Sequence, residues 1–370
     1  MPESGTFQPN WVSPPGDTIA ELLVHRSLSL VDFAERIGTP VDKADELARG
    51  LVQIDRPLAE RLEHALGPSA TFWINREAQY RADVARLGSC ATAAADKAWV
   101  QGLPTRDMAA FGWIRATETF AEKLAECLRF FAVPDVDTWH RQYGGATAVA
   151  AFRMSSAFNS HPSAVSTWLR WAEIVSGHIE CRPWAPETFR AKLGEIRRMT
   201  WVKDPAVFLP KLRKICADSG VAVVVARTPS GCPASGATRF LTPHKALMVL
   251  SFRYRTDDQF WFTFFHEAGH LLLHGKDALF LEDGSDVTSP EEDEANKFAA
   301  RLLIPHALAT EFRALRPMPK DIFDFARRAG IAPGIIVGQL QHHNRLSKKQ
   351  LNYLKRRYSW DIIPADSVSP

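Results

Sequence analysis

Two histidines with a glutamate between them, His266–Glu267–Ala268–Gly269–His270, have a spacing that names a chemistry by itself. On a helix the imidazoles fall one turn apart on one face, with Cβ atoms about 6 Å apart. That is close enough for both to hold one tetrahedral zinc ion. Glu267 then stands where a carboxylate can take a proton from a water that zinc activates. Twelve histidines in 370 residues produce such a match by chance only roughly 0.02 times. Exposed placement fits poorly, because Phe264, Phe265, Leu271, Leu272 and Leu273 surround the motif.

A hydrolytic zinc site takes three protein ligands and leaves one position open. His274 lies on nearly the same face, but it is eight residues from His266, about 12 Å along the axis, so the two cannot share an ion. It is read as a helix-end residue or as a support for a ligand. The acidic stretch Glu291–Ile304 is the better source, since Glu292, Ala295, Asn296, Ala299 and Leu303 fall on one helical face. Asn296 could then brace a histidine from behind. Ser289 and Glu292 also have the spacing of a capping box. In that case Glu292 ties down its own helix and Glu294 is the ligand; spacing leaves both open.

These residues need elements to carry them. Val221–Ala226, Ala237–Leu241 and Ala246–Phe252 read as strands leading into the metal helix, which starts near Asp257 or Asp258, either able to cap it. Asp204–Pro205 opens the helix before them and Gly220 stops it. Residues 99–200 read as helical, with a start at Ser163, and Trp99 to Trp201 holds seven of the eleven tryptophans, an aromatic set read as core. Gly88–Lys97 is a small-residue linker. Upstream, stripes around Leu22, Phe33, Leu47 and Leu62 give the cadence of five short helices in a helix-turn-helix bundle. Beyond Pro305, residues 312–358 hold 11 Lys/Arg against two acids. Lys348, Lys349, Lys355, Arg356 and Arg357 form either a solvated basic face or a surface for DNA phosphates or an acidic partner.

The fold class expected is mainly α with a small β-sheet (α+β). The organisation expected is a loose arm over 1–15, a helix-turn-helix domain over 16–87, a helical middle region over 88–200, a zincin-like peptidase domain over 201–311 and a basic helical module over 312–360. Hydrophobic content of 46% and charged content of 24% suit a globular protein. Net charge is +3 overall, but residues 1–87 carry 9 Lys/Arg against 13 Asp/Glu. Five separated cysteines without a C-x-x-C pair indicate neither disulfide framework nor cysteine zinc ribbon. The absence of a signal-peptide pattern and of a spanning apolar run leads to a cytoplasmic assignment with no membrane partner.

Two resemblances sharpen this. Pro15–Gly16–Asp17, Phe33–Ala34–Glu35–Arg36–Ile37–Gly38, Gly50, Leu62–Glu63–His64–Ala65–Leu66–Gly67 and Phe72–Trp73 resemble the HigA-type antitoxin branch of the Xre family. That resemblance implies operator contacts from Val41–Arg49, with Val41, Lys43, Ala44 and Arg49 as candidates. The stretch holds three acids against two bases, which suits phosphate neutralisation badly and a docking role better. Phe265–His266–Glu267–Ala268–Gly269–His270, with Glu292-x-x-Ala295–Asn296-x-Phe298–Ala299-x-x-Leu302–Leu303-x-Pro305, resembles the ImmA/IrrE metallopeptidase family. This resemblance implies Glu292 as third ligand, one Zn2+ per chain, and a regulatory endopeptidase that cuts an Xre-type repressor or antitoxin, with Glu267 as general base. Mn2+ or Fe2+ also suits two histidines and a carboxylate. His244, Tyr254 and His306 are candidates for stabilising the oxyanion. The rival reading is a DNA-binding regulator or antitoxin whose peptidase-like domain senses metal or binds a partner without cleaving it.

Overall fold

The computed structural model describes residues 13–144, 162–274, 279–282 and 289–363. The chain divides into two compact units, Met1–Ala98 and Trp99–Pro370. In the first, helices α1 (Pro15–His25), α2 (Leu30–Ile37), α3 (Val41–Ala48) and α4 (Arg56–Leu66) enclose a core of Ile19, Phe33, Ile37, Ala44, Leu62, Leu66 and Trp73. Ser29 caps α2 by accepting the Asp32 N–H, and the Asp32 carboxylate accepts the Ser29 N–H in return. A Cβ at Gly16 would run into the backbone of Ala48 and Gly50, so glycine there lets α1 close on the end of α3.

The fifth helix departs from the expected pattern. Helix α5 spans Ala70–Gly102, 33 residues, and swallows the expected linker at Gly88–Lys97. Alanine is the best helix former, and five of them between Ala91 and Ala98 extend a helix that a glycine-serine linker would end. Ala44 is withdrawn as a DNA contact, since it is 0% exposed in the core.

In the second unit, α6 (Thr105–Ala110), α7 (Phe120–Phe131) and α8 (Val136–Trp139), which runs into a π-helical turn at His140–Gly144, precede α9 (Pro162–Gly177), α10 (Pro186–Met199) and α11 (Pro205–Ala217). Helix α9 already includes Ser163, so Ser163 does not cap it. The Ser166 and Thr167 hydroxyls donate back to the carbonyls of Pro162 and Ser163. Strands β1 (Val221–Val225), β2 (Gly236–Thr242), β3 (Lys245–Leu250) and β4 (Phe280–Glu282) form one sheet in the order β1-β3-β2-β4. β1 is parallel to β3, whereas β2 is antiparallel to both β3 and β4. β4 is three residues long, too short to show an alternating strand pattern.

Alternation along the strands divides the side chains between two layers. Val224, Ala237, Leu247, Val249 and Leu281 meet the tryptophan cluster of Trp99, Trp113, Trp139, Trp168 and Trp171. Val223, Val225, Met248 and Leu250 meet α12 (Asp257–Leu273), α13 (Pro290–Leu303), α15 (Pro319–Ala329) and α16 (Pro333–His342), with α14 (Ala309–Ala314) between α13 and α15. The regions expected as separate domains over 88–200, 201–311 and 312–360 thus share one unit from Trp99 onward. No helix among the described residues is long and apolar enough to cross a membrane.

The start of α12 is built around two buried acids. Thr256, not an aspartate, occupies the cap position, and Asp257 and Asp258 are 0% and 3% exposed in the first turn. Asp257 Oδ1 accepts the N–H groups of Asp258 and Arg356, while Lys355 Nζ lies 2.7 Å from Asp258 Oδ2. Gly334 and Gly338, one turn apart on α16, leave room for the two carboxylates: a Cβ at either would fall 2.5 Å from an aspartate oxygen. Arg356 Nη1 also donates to the Thr200 carbonyl. Lys355 and Arg356 therefore leave the expected basic face, because a buried charge demands a partner more strongly than solvent holds a lysine.

Burial and the neighbouring Asp258 charge push Asp257 up to about 7. The folded-state value stands above the unfolded value of about 3.9, so ionising Asp257 penalises the folded state. Stability is expected to fall as pH rises from about 4 through 7 and to level off above. Between pH 5 and pH 8 the loss should be on the order of 2–3 kcal/mol in urea unfolding, and Asp257→Asn should abolish most of it. A wild-type protein whose stability ignores this pH range would show that Asp257 stays ionised throughout.

Candidate metal centre

Helices α12 and α13 bring the chemistry together because they pack closely. A Cβ at Gly269 would lie 3.1 Å from Ala295 Cα and 3.2 Å from the Phe298 ring, so only glycine permits this approach without adjustment. Ala295, Ala299 and Leu303 supply the apolar seam of α13, and Glu292 and Asn296 continue that face toward the histidines.

His266 Nε2, His270 Nε2 and the Glu292 carboxylate meet at one point. The two imidazole nitrogens are 2.9 Å apart, Glu292 Oε2 is 3.1 Å from His266 Nε2, and Oε1 is 3.3 Å from His270 Nε2. Tetrahedral zinc with bonds of about 2.0–2.1 Å places its ligand atoms roughly 3.3 Å apart. The donor set, two imidazoles and a carboxylate drawn within 4.8 Å of one another, fits one divalent ion. Glu292 also explains why spacing left two readings open. Ser289 does cap α13, accepting the Glu292 N–H at 3.2 Å, but the Glu292 side chain turns to the histidines instead of completing a capping box.

Each imidazole is held from behind. Asn296 Oδ1 sits 3.0 Å from His266 Nδ1, so that nitrogen donates and leaves the Nε2 lone pair facing the centre. His270 Nδ1 lies 3.0 Å from His274 Nδ1, and His274 Nε2 lies 3.3 Å from Glu294 Oε2. Glu294 can only accept, so the consistent chain runs His270 N–H to His274, and His274 N–H to Glu294. The Phe280 ring stacks on His270 at 4.1 Å. Glu294 thus braces the centre at one remove and is not a ligand.

The electrostatics follow from burial and charge. Burial by itself would raise the Glu292 carboxyl, but the imidazoles of His266 and His270 facing it hold it down at about 2. Burial drives His270 down to about 4. At His266 burial works in the same downward sense, yet Glu292, Glu282 and Glu267 together carry it up to about 9. The centre keeps a carboxylate ionised and draws positive charge to the point where the ligands meet, which a divalent cation would supply.

Glu267 is fully buried beside this centre. Thr238 Oγ1 donates to its Oε2 at 2.9 Å, and its Oε1 has no partner among the described residues. Burial lifts its carboxyl well above the usual range, with the charges of Glu282 and Glu292 adding to the lift and His266 opposing it. Gly236 makes the pocket for it: a Cβ there would fall 2.5 Å from Glu267 Oε1 and 2.6 Å from Thr263 Cγ2. Thr238, Gly236, Phe280 and Glu282 escaped sequence reasoning, since strand pairing gathers them and no local motif marks them. Of the oxyanion candidates, His244 lies in the exposed turn between β2 and β3, Tyr254 lines a polar cavity with Asp258 and Gln259, and His306 is exposed after α13. None of the three has a described contact with the ligand residues.

Residues 219–351 match the family model described as the IrrE N-terminal-like domain, Peptidase_M78, which supports a metal-dependent peptidase here. The match spans β1 through α16 and includes all three residues of the cluster; residues 15–86 lie outside it. No curated protein matches the chain.

Removing a group that orients a ligand typically costs 10–100-fold in metal affinity. Asn296→Ala and His274→Ala are each expected to weaken zinc binding by about that factor, measured by competition with a chromogenic chelator. Glu292→Ala should weaken it further than either. Equal affinity in Glu292→Ala and the wild type would remove Glu292 from the ligand set.

Proposed function

We propose that this chain is a regulatory metalloendopeptidase that cuts an Xre-type repressor or antitoxin. One observation carries the reading: a buried glutamate with one free oxygen stands against a cluster of two histidines and a carboxylate, within a match to a peptidase family. His266, His270 and Glu292 would hold the ion, zinc being the first choice for this donor set. When bound, the ion supplies Lewis acidity, lowering the pKa of a water towards 7 and polarising a peptide carbonyl.

The remaining work belongs to Glu267. Thr238 holds Oε2 and leaves Oε1 without a partner among the described residues, free to accept a proton from the attacking water. As the water oxygen bonds to the carbonyl carbon, Glu267 Oε1 takes its proton. A carboxyl whose affinity for protons is raised by burial keeps that proton until the C–N bond breaks, then delivers it to the leaving nitrogen. Asn296 and His274 keep both imidazoles in the tautomer that leaves Nε2 free.

The acidic first unit is assigned to a protein partner in place of operator DNA. Along Val41–Arg49 the two bases are paired locally, Lys43 with Glu46 at 2.6 Å and Arg49, just past the end of α3, with Asp45 at 3.3 Å. With three acids among these nine residues the stretch offers little net positive charge to neutralise phosphates. The substrate class comes from the family resemblance and its regulatory character.

Glu267→Gln is the direct test. It should retain zinc and lose cleavage of a repressor encoded beside this gene by a factor on the order of 10²–10⁴. Cleavage should disappear when the metal is chelated and return with zinc. Intact neighbouring repressors after incubation with the zinc-loaded wild type, together with salt-sensitive promoter binding that Glu267→Gln leaves unchanged, would favour a non-cleaving DNA-binding regulator.

A further inference from the structure

Glu282, the last residue of β4, has no part in the chemistry above, yet the sheet aims it at the same place. In the β2–β4 ladder Thr238 pairs with Phe280 and Gly236 with Glu282. Directly paired residues of an antiparallel ladder project to the same face, and so do residues two apart along a strand. Thr238 reaches Glu267 and Phe280 stacks on His270, so this face looks onto α12. Leu281 and Ala237, between them, pack into the tryptophan layer on the other side. Glu282 therefore projects beside Gly236, over whose missing side chain Glu267 lies. Its charge is felt by both His266 and Glu267.

The carboxylate is left wanting a partner. Glu282 Oε2 is buried and makes no hydrogen bond among the described residues, and none of them forms an ion pair with Glu282. It does not join the group of atoms that could hold one metal ion. A buried carboxylate oxygen without a donor is costly, and the cost is recovered when a cation or N–H group docks on it. β4 is also the edge of the described sheet, so among the described residues its outer side is where an extended bound chain could pair.

We propose that Glu282 is a specificity-determining residue that receives a lysine or arginine side chain of the substrate, close to the bond that is cut. The assignment rests on the peptidase reading, but it is a statement about binding and can be tested as one. Zinc-loaded Glu267→Gln protein is incubated with a randomised hexapeptide library, and the retained peptides are sequenced by mass spectrometry. Peptides with Lys or Arg should be enriched about tenfold over neutral ones, the factor that ~1.4 kcal/mol of charge pairing gives. Adding Glu282→Gln should bring the enrichment to background, and adding Glu282→Lys should shift it to Asp and Glu, with zinc content unchanged in both.

Retention without cationic preference, a preference that survives Glu282→Gln, or no retention at all would overturn the proposal. So would loss of zinc from the Glu282→Gln protein, which would make the residue a ligand. The wild-type chain run on the same library separates the two readings. Cutting without basic preference fails Glu282 alone; basic peptides retained by Glu267→Gln but left whole by the wild type fail the peptidase reading alone.

Discussion

The centre depends on how closely two helices can approach. Glu292 comes from α13 and both histidines from α12, so their donor atoms meet only if the backbones nearly touch at Gly269 and Ala295. Alanine at 269 would press on a main-chain atom, which cannot swing aside as a side chain can. The small residues inside the motif are thus as much part of the ligand geometry as the ligands, although they carry no chemistry. Ala295 and Ala299 serve the same purpose from the facing helix.

The second constraint is charge without water. Helix α12 is buried along nearly its whole length and carries acids at its start and its middle. At the start, Lys355, backbone N–H groups and two glycines of α16 accommodate Asp257 and Asp258. In the middle, Thr238 and the imidazoles meet only part of what Glu267 and Glu292 require, and each keeps an oxygen without a hydrogen bond. Both places keep buried carboxylate oxygens without hydrogen bonds, Asp257 Oδ2 and Asp258 Oδ1 among them, but only in the middle do two imidazoles and a carboxylate share one point, where a divalent ion would supply what is missing.

How much of this was legible in the sequence follows from how local each feature is. His266, Glu267 and His270 share one helix, and Glu292 and Asn296 share another, so a 3.6-residue period suffices to put each set on one face. The choice between Glu292 and Glu294 was not legible, because a side chain whose own N–H is capped by Ser289 remains free to point elsewhere. The wall opposite was invisible: Gly236, Thr238, Phe280 and Glu282 meet through pairing of two strands separated by the metal helix itself. The alanine run after Gly88 misled, since small residues signal a linker only when glycine, serine and proline dominate. Lys355 and Arg356 look like surface residues because nothing near them in the sequence announces two buried aspartates about a hundred residues earlier.

The tie between α12 and residues 355–357 sets an order on the protein's manufacture. The Asp257 N–H donates to the Arg356 carbonyl and the Asp257 carboxylate accepts the Arg356 N–H, across 99 residues, and Thr256 bridges to Arg357. A polypeptide still emerging from the ribosome carries His266 and His270 long before it carries the lysine and arginine that quiet the acids at the head of their helix. Until those arrive, the first turn of that helix has two carboxylates to bury and nothing to bury them against. The head of the helix that carries His266 and His270 is therefore completed only once residues 355–357 are in place.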